Sequence, residues 1–345
     1  MPDNKNISAD ALTKLVSSIF VGTGMSAAHA GKVAEVLVWA DLRGAPSHGV
    51  QRVPRYVEII AQGDMNPRPD IKIVKDLPAA IIIDADRGPG QVSMMLAASE
   101  ATKKARACGI GLALVRRTTH TAALGYYTRL AALEGIAAIA ASASWPNMGY
   151  HGTAQVGVAT NPFSIAVPRG DEPLVLDMAT AVVALGKIVH AARSGQSIPL
   201  GWALDDDGKP TTDPKKATLP LPLGGPKGSG LSLMIECIAS LITDNPILVD
   251  TLEGTELANK HRQNAFLIAI DVAAFGLLDD FTTSLERTIK DLKALPRQED
   301  VDEILMPGER GSRELKKRQQ TGITIPAATW AESARVAEKF GVTPD

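Results

Sequence analysis

The stretch LRGAPSHGVQRVPRY, Leu42 to Tyr56, places reactive side chains in a turn-like segment between two apolar helical runs. Ser47 and His48 are adjacent there, and Arg52 follows within the same segment. An imidazole titrates near neutral pH and can move a proton in either direction. A guanidinium can bind a carboxylate through two parallel hydrogen bonds. A histidine at such a junction is often only a capping or surface residue, and a proton-transfer role for His48 is the alternative that the rest of the chain has to decide.

Three further polar residues lie at predicted strand ends or turns. His120, in RRTTHTAALGYY, follows the strand IGLALVRR, and open α/β sheets place functional groups at such ends. Asp177 ends the apolar strand of LVLDMAT. Because an acid there is costly to bury alone, it either pairs with a group such as a histidine or caps the following helix. Thr160, in ATNP, either closes a turn or binds a ligand oxygen.

The chain has no complete phosphate-binding fingerprint. DADRGPGQVS supplies Gly88 and Gly90 after a strand, but Ser93 occupies the place of the third glycine of a Rossmann loop, and a plain turn is the better interpretation. GGPKGSG, residues 224–230, lacks the spacing of a Walker loop. Its Lys227 and the backbone amides before a helix would nevertheless suit an anion.

The elements that must position these residues form two kinds of region. Amphipathic helices begin at Ser8 and Ser26 and a third ends at Gly63, whereas from about Leu77 short apolar strands alternate with helices. The pattern predicts an α/β fold with a mixed sheet. We expect residues 1–75 to form a helical region that packs with residues 311–345, and residues 76–310 to form the α/β domain. We also expect LSLMIECIASLI to be a buried helix fed by the Gly-rich loop.

Composition excludes several classes of protein. The net charge is -2, from 36 basic and 38 acidic residues, and aromatic residues make up 4%, so neither a basic stripe nor a base-stacking surface indicates nucleic acid. The longest apolar run contains Glu236 and is too short to span a membrane. Cys108 and Cys237 lack the spacing of a metal site or disulfide framework. With no targeting signal recognised, we expect a cytoplasmic protein without a metal.

The motifs taken together resemble one known family. SHGVQRVPRY, THTAALGYY, ATNPFSIAVP, LVLDMAT, LPLGGPKGSG and MPGE occur in the order found in the type 2 malate/L-lactate dehydrogenase family, from about Ser8 to Thr324. That family also contains sulfolactate and ureidoglycolate dehydrogenases, diketogulonate reductase and cyclic imine (piperideine-2-carboxylate) reductases. The resemblance implies an oxidoreductase that uses NAD or NADP through a non-Rossmann binding domain and works as a homodimer.

The resemblance also implies roles for residues near the reaction. By position, His48 matches the family's proton donor or acceptor, Ser47 its relay partner and Asp177 the acid linked to them. His120 matches a histidine that some members use as the base. Arg52 looks like the clamp on the substrate carboxylate.

Other matched positions imply contacts with substrate or cofactor. Thr160 matches a substrate contact, although Ala159 stands where the family more commonly has glycine, which leaves the local turn geometry open. The implied cofactor contacts are Ser144, Asp177, Met178, Ala179, Lys227, Pro307, Gly308 and Glu309.

The leading interpretation is interconversion of a small 2-hydroxy acid and its 2-oxo acid, of the malate or lactate type. Reduction of a cyclic 2-imino acid and oxidation of ureidoglycolate are the alternatives, because the same clamp and proton donor would serve them. An inactive homologue would be expected to lose Ser47, His48, Arg52 or Asp177, and all are present. A hydrolase built on Ser47, His48 and Asp177 lacks a nucleophile-elbow pattern.

Overall fold

A computed structural model of the protein describes residues 4–257 and 260–344. Its main helices are α1 (Ala9–Gly22), α2 (Ala27–Leu42), α3 (Val53–Ala61), α4 (Gly90–Cys108), α5 (Gly125–Leu133), α6 (Leu185–Ser194), α7 (Pro226–Glu236), α8 (Leu248–Glu253), α9 (Leu278–Lys293), α10 (Glu309–Thr321) and α11 (Ala327–Lys339). Its strands are β1 (Lys5–Ile7), β2 (Lys72–Asp76), β3 (Ala80–Asp84), β4 (Ile110–Thr118), β5 (Ile136–Ser144), β6 (Met148–Gly149), β7 (Val156–Val158), β8 (Phe163–Val167), β9 (Leu174–Met178), β10 (Ala203–Leu204), β11 (Leu219–Pro220), β12 (Gln263–Asp271) and β13 (Ile323–Ile325).

A seven-stranded sheet forms the body of the fold, in the order β2-β3-β4-β12-β5-β8-β9. Neighbours β3 and β4 are parallel, whereas the other neighbouring pairs in this sheet are antiparallel. The predicted α/β architecture with a mixed sheet is therefore confirmed. Every strand expected from the runs AAIIID, IGLALVRR, IAAIAASAS, FSIAVP, LVLDMA and NAFLIAID lies in this sheet.

Small residues let helix α4 pack closely on the centre of the sheet. A Cβ added to Gly111 in β4 would lie 2.0 Å from the carbonyl oxygen of Ala101 in α4. The sheet also presents Ala113, Ala138 and Ala265 to the core, and all three are fully buried. Larger side chains at these positions would push the helix away, so the alanine-rich strands set the helix–sheet distance.

The terminal segments meet beside this body. Strand β1 pairs antiparallel with β13, α10 packs on α2 and α11 packs on α3. Side chains of Ser8 and Ser26 cap α1 and α2 by accepting hydrogen bonds from main-chain amides in their first turns. The apolar core is continuous from these helices to the sheet. The division into residues 1–75 with 311–345 and residues 76–310 remains a prediction.

Two parts of the chain differ from expectation. Strand β2 was not predicted, because it is an edge strand whose residues are all exposed and carry no alternating apolar pattern. The run LSLMIECIASLI forms the end of α7 and one π-helical turn, so the expected helix is present. It is buried on one face only, because Ile235 and Ala239 are buried whereas Met234, Leu241 and Ile242 are more than half exposed in the isolated chain. Within the described residues, no helix is long and apolar enough to cross a bilayer.

Candidate active site

Two short 3-10 turns after helix α2 carry the Ser47–His48 pair. The turns are Pro46–His48 and Val50–Arg52, and Gly49 joins them. The carboxylate of Asp41, in the last turn of α2, accepts a hydrogen bond of 2.8 Å from the amide of Val50. A Cβ on Gly49 would lie 2.2 Å from that carboxylate. Glycine is therefore required here by close approach, and Asp41 fixes the loop that presents His48.

Asp41 is a site residue that the sequence analysis missed. It is 2% exposed, and burial raises its pKa to about 7, against the lowering effects of the Val50 amide and the Arg318 charge. The signal was present as an acid within the apolar run VLVWADL, since a buried carboxylate needs a partner.

His48 is held by the Ser47 hydroxyl, and Arg52 is anchored on the main chain of Ser47. Its Nδ1 lies 3.0 Å from the Ser47 hydroxyl, and Arg52 Nε donates a hydrogen bond of 2.6 Å to the Ser47 carbonyl oxygen. Desolvation, with a smaller contribution from the Arg52 charge, lowers the pKa of His48 to about 4. His48 is therefore neutral at pH 7 and can accept a proton.

The two terminal nitrogens of Arg52 are free to bind a ligand. Within residues 4–257 and 260–344, no hydrogen bond or ion pair involves them. The guanidinium is half-buried and its Nε is anchored, so its outer edge is held in one orientation. That edge matches the planar fork a carboxylate requires.

His120 is oriented by a relay of hydrogen bonds. Its Nδ1 lies 2.6 Å from the Tyr56 hydroxyl and accepts a hydrogen bond of 3.3 Å from the Ala122 amide. Because that amide can only donate, neutral His120 carries its proton on Nε2, and the Tyr56 hydroxyl donates to Nδ1. The Gln91 amide in turn donates to the Tyr56 oxygen at 3.0 Å. Tyr56 and Gln91 were missed, although Tyr56 ends the very segment SHGVQRVPRY.

The structure brings His48 and His120 together. Their rings are stacked, with centroids 5.8 Å apart and planes 22° from parallel. The pKa of His120 lies well below its usual value because of desolvation, followed by the Arg52 and His48 charges. Ala122, just after His120, has a φ of 57°. A non-glycine residue in this region is strained, and such strain often occurs where a loop is shaped for a ligand.

Asp177 lies apart from the Ser47–His48 pair. Its carboxylate accepts a hydrogen bond of 2.8 Å from the Gly125 amide at the start of α5. Among the hydrogen bonds of the described residues, none joins it to Ser47 or His48, so the expected direct link is not present in this chain. Desolvation raises the pKa of Asp177 to about 6, but the residue keeps solvent contact, and water limits that effect.

Two of the predicted ligand contacts, Ser144 and Thr160, lie next to the buried side chain of Asn161. Asn161 accepts a hydrogen bond from the Ser144 amide at 3.1 Å and donates to the Ser232 carbonyl oxygen in α7 at 2.9 Å. The neighbouring Thr160 amide donates to Asn147, and the Thr160 carbonyl accepts from the Thr180 amide. The sequence analysis singled out Ser144 and Thr160 but missed Asn161, the side chain that joins Ser144 to α7.

Three of the remaining predicted cofactor contacts lie at the end of strand β9: Asp177 and Met178 in the strand and Ala179 just after it. Leu223, just before the Gly-rich turn, donates its amide to the Thr180 carbonyl oxygen, and Val175 donates its amide to the Pro307 carbonyl oxygen. The loop preceding Lys227 and the segment 307–309 therefore both approach this strand. Lys227 is exposed and lies in the first turn of α7, not in a loop. Glu309 is held in ion pairs with Lys293 and Arg313.

Two observations bear on what this region could hold. The Thr180 hydroxyl is buried and has no hydrogen-bond partner within the described chain, and glycines 224 and 225 have positive φ before the start of α7. The amides of Gly225, Lys227 and Gly228 already donate to carbonyl oxygens of the same turn, so the expected free amides are not present, and Lys227 is the anion-binding group that this helix start offers. No group of three or more histidine, cysteine or acidic side chains in the described residues is placed to hold a metal ion.

Comparison with known sequences defines the class of protein. Residues 7–333 match the malate/L-lactate dehydrogenase family. The chain is 34% identical to malate dehydrogenase of Pyrococcus horikoshii, over 96% of this chain and 95% of that protein. It is 36% identical to L-sulfolactate dehydrogenase of Methanocaldococcus jannaschii, over 95% of each. It is also 34% identical to ureidoglycolate dehydrogenase (NAD(+)) of Escherichia coli O157:H7, over 92% of each.

Solved structures agree with this assignment. Malate dehydrogenase from Entamoeba histolytica superposes with a TM-score of 0.93 at 28% identity, over 98% of this chain and 99% of that chain. Delta1-piperideine-2-carboxylate reductase from Pseudomonas syringae superposes with a TM-score of 0.86 at 29% identity, over 96% and 99%.

The chain belongs to the malate/L-lactate dehydrogenase family. It is an oxidoreductase of the 2-hydroxy acid dehydrogenase type, so the predicted family and enzyme class are confirmed. The roles of individual residues remain predictions.

Proposed function

We propose that this protein interconverts a small 2-hydroxy acid and its 2-oxo acid with a nicotinamide cofactor, either NAD or NADP. The observation that carries the proposal is the free outer edge of Arg52 beside the stacked His48 and His120 rings. One cation for a carboxylate and two neutral imidazoles are the groups that a 2-hydroxy acid requires at its first two carbons. Relatives named for malate, sulfolactate and ureidoglycolate support this substrate class.

Arg52 binds the substrate carboxylate and thereby orients the adjacent carbon. In the oxidative direction, neutral His48 takes the proton of the substrate hydroxyl, and in the reductive direction the protonated ring returns it. Binding of the carboxylate neutralises the Arg52 charge that helps to lower the His48 pKa, so the substrate itself makes His48 a better base. The Ser47 hydroxyl holds the other ring nitrogen.

His120 acts as a hydrogen-bond donor to the reacting oxygen. The Tyr56 hydroxyl and the Ala122 amide fix its proton on Nε2, which leaves that N–H to stabilise developing negative charge. A histidine that remains neutral and donates through Nε2 cannot at the same time be the proton acceptor. The assignment therefore gives proton transfer to His48 and charge stabilisation to His120.

The nicotinamide, when bound, supplies the hydride transfer. We assign its contacts to Ser144, Asp177, Met178, Ala179, Lys227, Pro307, Gly308 and Glu309, and the substrate contact to Thr160. The binding mode is proposed to be non-Rossmann. This is supported by a sheet with one parallel pair and by the incomplete fingerprint at Gly88 and Gly90.

The protein is proposed to be a cytoplasmic homodimer. An apolar face on α7 and the following turn, formed by Leu231, Met234, Leu241 and Ile242, is 40 to 60% exposed in the isolated chain. Monomeric proteins rarely expose contiguous apolar surface of this kind. Light scattering should therefore give twice the chain mass, and Met234→Glu should lower it to a monomer.

A cyclic 2-imino acid is the alternative substrate, since the Pseudomonas reductase has the same fold and an imine beside a carboxylate would use the same Arg52 and His48. The test is oxidation of NADH and NADPH, followed by absorbance, with pyruvate, oxaloacetate, other 2-oxo acids and piperideine-2-carboxylate, and with ureidoglycolate in the oxidative direction. Turnover of a 2-oxo acid supports the proposal. Activity on the cyclic imine alone, on ureidoglycolate alone, or on none of these would overturn it.

A further inference from the structure

A third histidine, His261, lies just before strand β12 and has no function in the mechanism above. It is 7% exposed, and both of its ring nitrogens are buried without a hydrogen-bond partner in the described part of the chain. At least one of these nitrogens carries a proton in any charge state. A buried N–H without an acceptor is destabilising, and a native structure that retains one calls for an explanation.

The ring of His261 is held in place without using its nitrogens. It packs against the Trp145 ring in an edge-type arrangement, with centroids 4.6 Å apart and planes at 64°. The backbone amide of His261 donates to the Asp64 carboxylate at 3.4 Å, and Lys260 pairs with the same carboxylate. The ring of His261 is therefore fixed in position while its two nitrogens make no hydrogen bond, which is the arrangement expected of a residue that binds a ligand.

The sheet places His261 at the same end as the proposed substrate site: Gln263, two residues after His261, pairs with Thr118, two residues before His120, and with Ser144, next to Trp145. The charges of Arg52 and Arg55 contribute to lowering the pKa of His261 to about 4, after the larger effect of desolvation, and the charge of His261 in turn acts on His120. The Asp64 carboxylate acts against the arginines and raises the pKa of His261, but its own charge is paired with Lys260. Because Arg52 is positive, an anion bound near both groups is favoured over a neutral group.

We propose that His261 is a specificity-determining residue that donates a hydrogen bond to a second anionic group, a carboxylate or sulfonate, at the end of the substrate remote from the carboxylate on Arg52. The inference rests on the proposed function, since it extends the same site. A substrate with only one anionic group leaves the His261 N–H unsatisfied. The enzyme therefore prefers dianionic 2-oxo acids such as oxaloacetate over pyruvate.

Steady-state kinetics of His261→Leu test this with oxaloacetate and pyruvate. We expect KM for oxaloacetate to rise roughly 10- to 100-fold, the loss of one hydrogen bond to a charged group, while KM for pyruvate changes less than about twofold. His261→Gln, which keeps an N–H donor, should recover most of the difference. His29→Leu is the control, because His29 lies at the opposite end of α2 from Asp41, about 18 Å along the helix axis.

Equal changes in both KM values, or none, would overturn the proposal, and thermal melting separates a folding defect from a binding defect. If the wild-type protein turns over no 2-oxo acid, the proposed function fails, and calorimetric titration then decides the role of His261. Binding of L-malate that is lost in His261→Leu, with L-lactate unaffected, would uphold it. Equal binding of L-malate by the wild type and by His261→Leu, or no binding by either, would overturn the proposed role of His261.

Discussion

The imidazoles of His48 and His120 stack at 5.8 Å although they come from a turn after helix α2 and from the end of strand β4. Each is neutral at pH 7, but they are held differently: the Ser47 hydroxyl contacts one, and Tyr56 with the Ala122 amide fixes the tautomer of the other. Two adjacent imidazoles can thus perform different tasks, one transferring the proton and one stabilising charge.

Removal of the Arg52 side chain should weaken substrate binding specifically. For Arg52→Ala, we expect KM for 2-oxo acids to rise roughly 100-fold, because a bidentate charged contact is lost. Arg52→Lys should recover only part of this, since an ammonium lacks the planar fork. Initial-rate kinetics over a wide substrate range measure both. Unchanged KM and kcat in Arg52→Ala would show that the carboxylate binds elsewhere.

Tyr56→Phe should lower kcat moderately. The variant loses the hydrogen bond to His120 Nδ1, but the Ala122 amide still selects the Nε2–H tautomer, so we expect a decrease of roughly 3- to 10-fold with little change in cofactor affinity. Tyr126→Phe is the matched control, because that hydroxyl binds Glu35 instead of a histidine. A similar loss of kcat in both variants would indicate a general packing effect.

Gly49→Ala should damage both stability and activity. The added methyl would lie 2.2 Å from the Asp41 carboxylate, which must move and release the Val50 amide. We expect a loss of about 2 kcal/mol or more in unfolding free energy. Gly31→Ala is the control: Gly31 is in α2 with open space around it and should gain about 0.5 to 1 kcal/mol. Denaturant unfolding measures the free energy of unfolding of both variants. An equal change in the two variants would refute the close contact between Gly49 and the Asp41 carboxylate.

Asp41→Asn should change how stability depends on pH. The folded-state pKa of Asp41, about 7, lies above its usual 3.8, so its contribution to stability is fully present below 3.8 and is lost as pH rises through about 7. An amide has no such titration. The melting temperature of the variant relative to the wild type should therefore increase between pH 4 and pH 8, by on the order of a few degrees. Parallel profiles would mean that Asp41 ionises normally.

The sequence was most informative where function is concentrated in one short segment. Ser47, His48 and Arg52 are neighbours along the chain, so a motif could identify them before any fold was known. The strands could be predicted equally well, because their apolar runs are bounded by turn residues. Strand β2 could not, since its exposed side chains leave no burial pattern.

Contacts between distant segments were the part that sequence could not supply. Tyr56 meets His120, and Trp145 meets His261, only because the sheet and the terminal helices bring them together. Asp177 was assigned to the Ser47–His48 pair by motif position, whereas its carboxylate binds the Gly125 amide. A motif identifies a residue type at a position but does not determine which neighbour that side chain reaches.

The central claim is that His48 transfers the proton, and kcat of His48→Ala tests it most directly. We expect kcat with the preferred 2-oxo acid to fall by roughly 10²- to 10⁴-fold, while the Kd of reduced cofactor, measured by fluorescence, stays unchanged. Near wild-type kcat with intact cofactor binding would contradict the account and make His120 the acid and base instead.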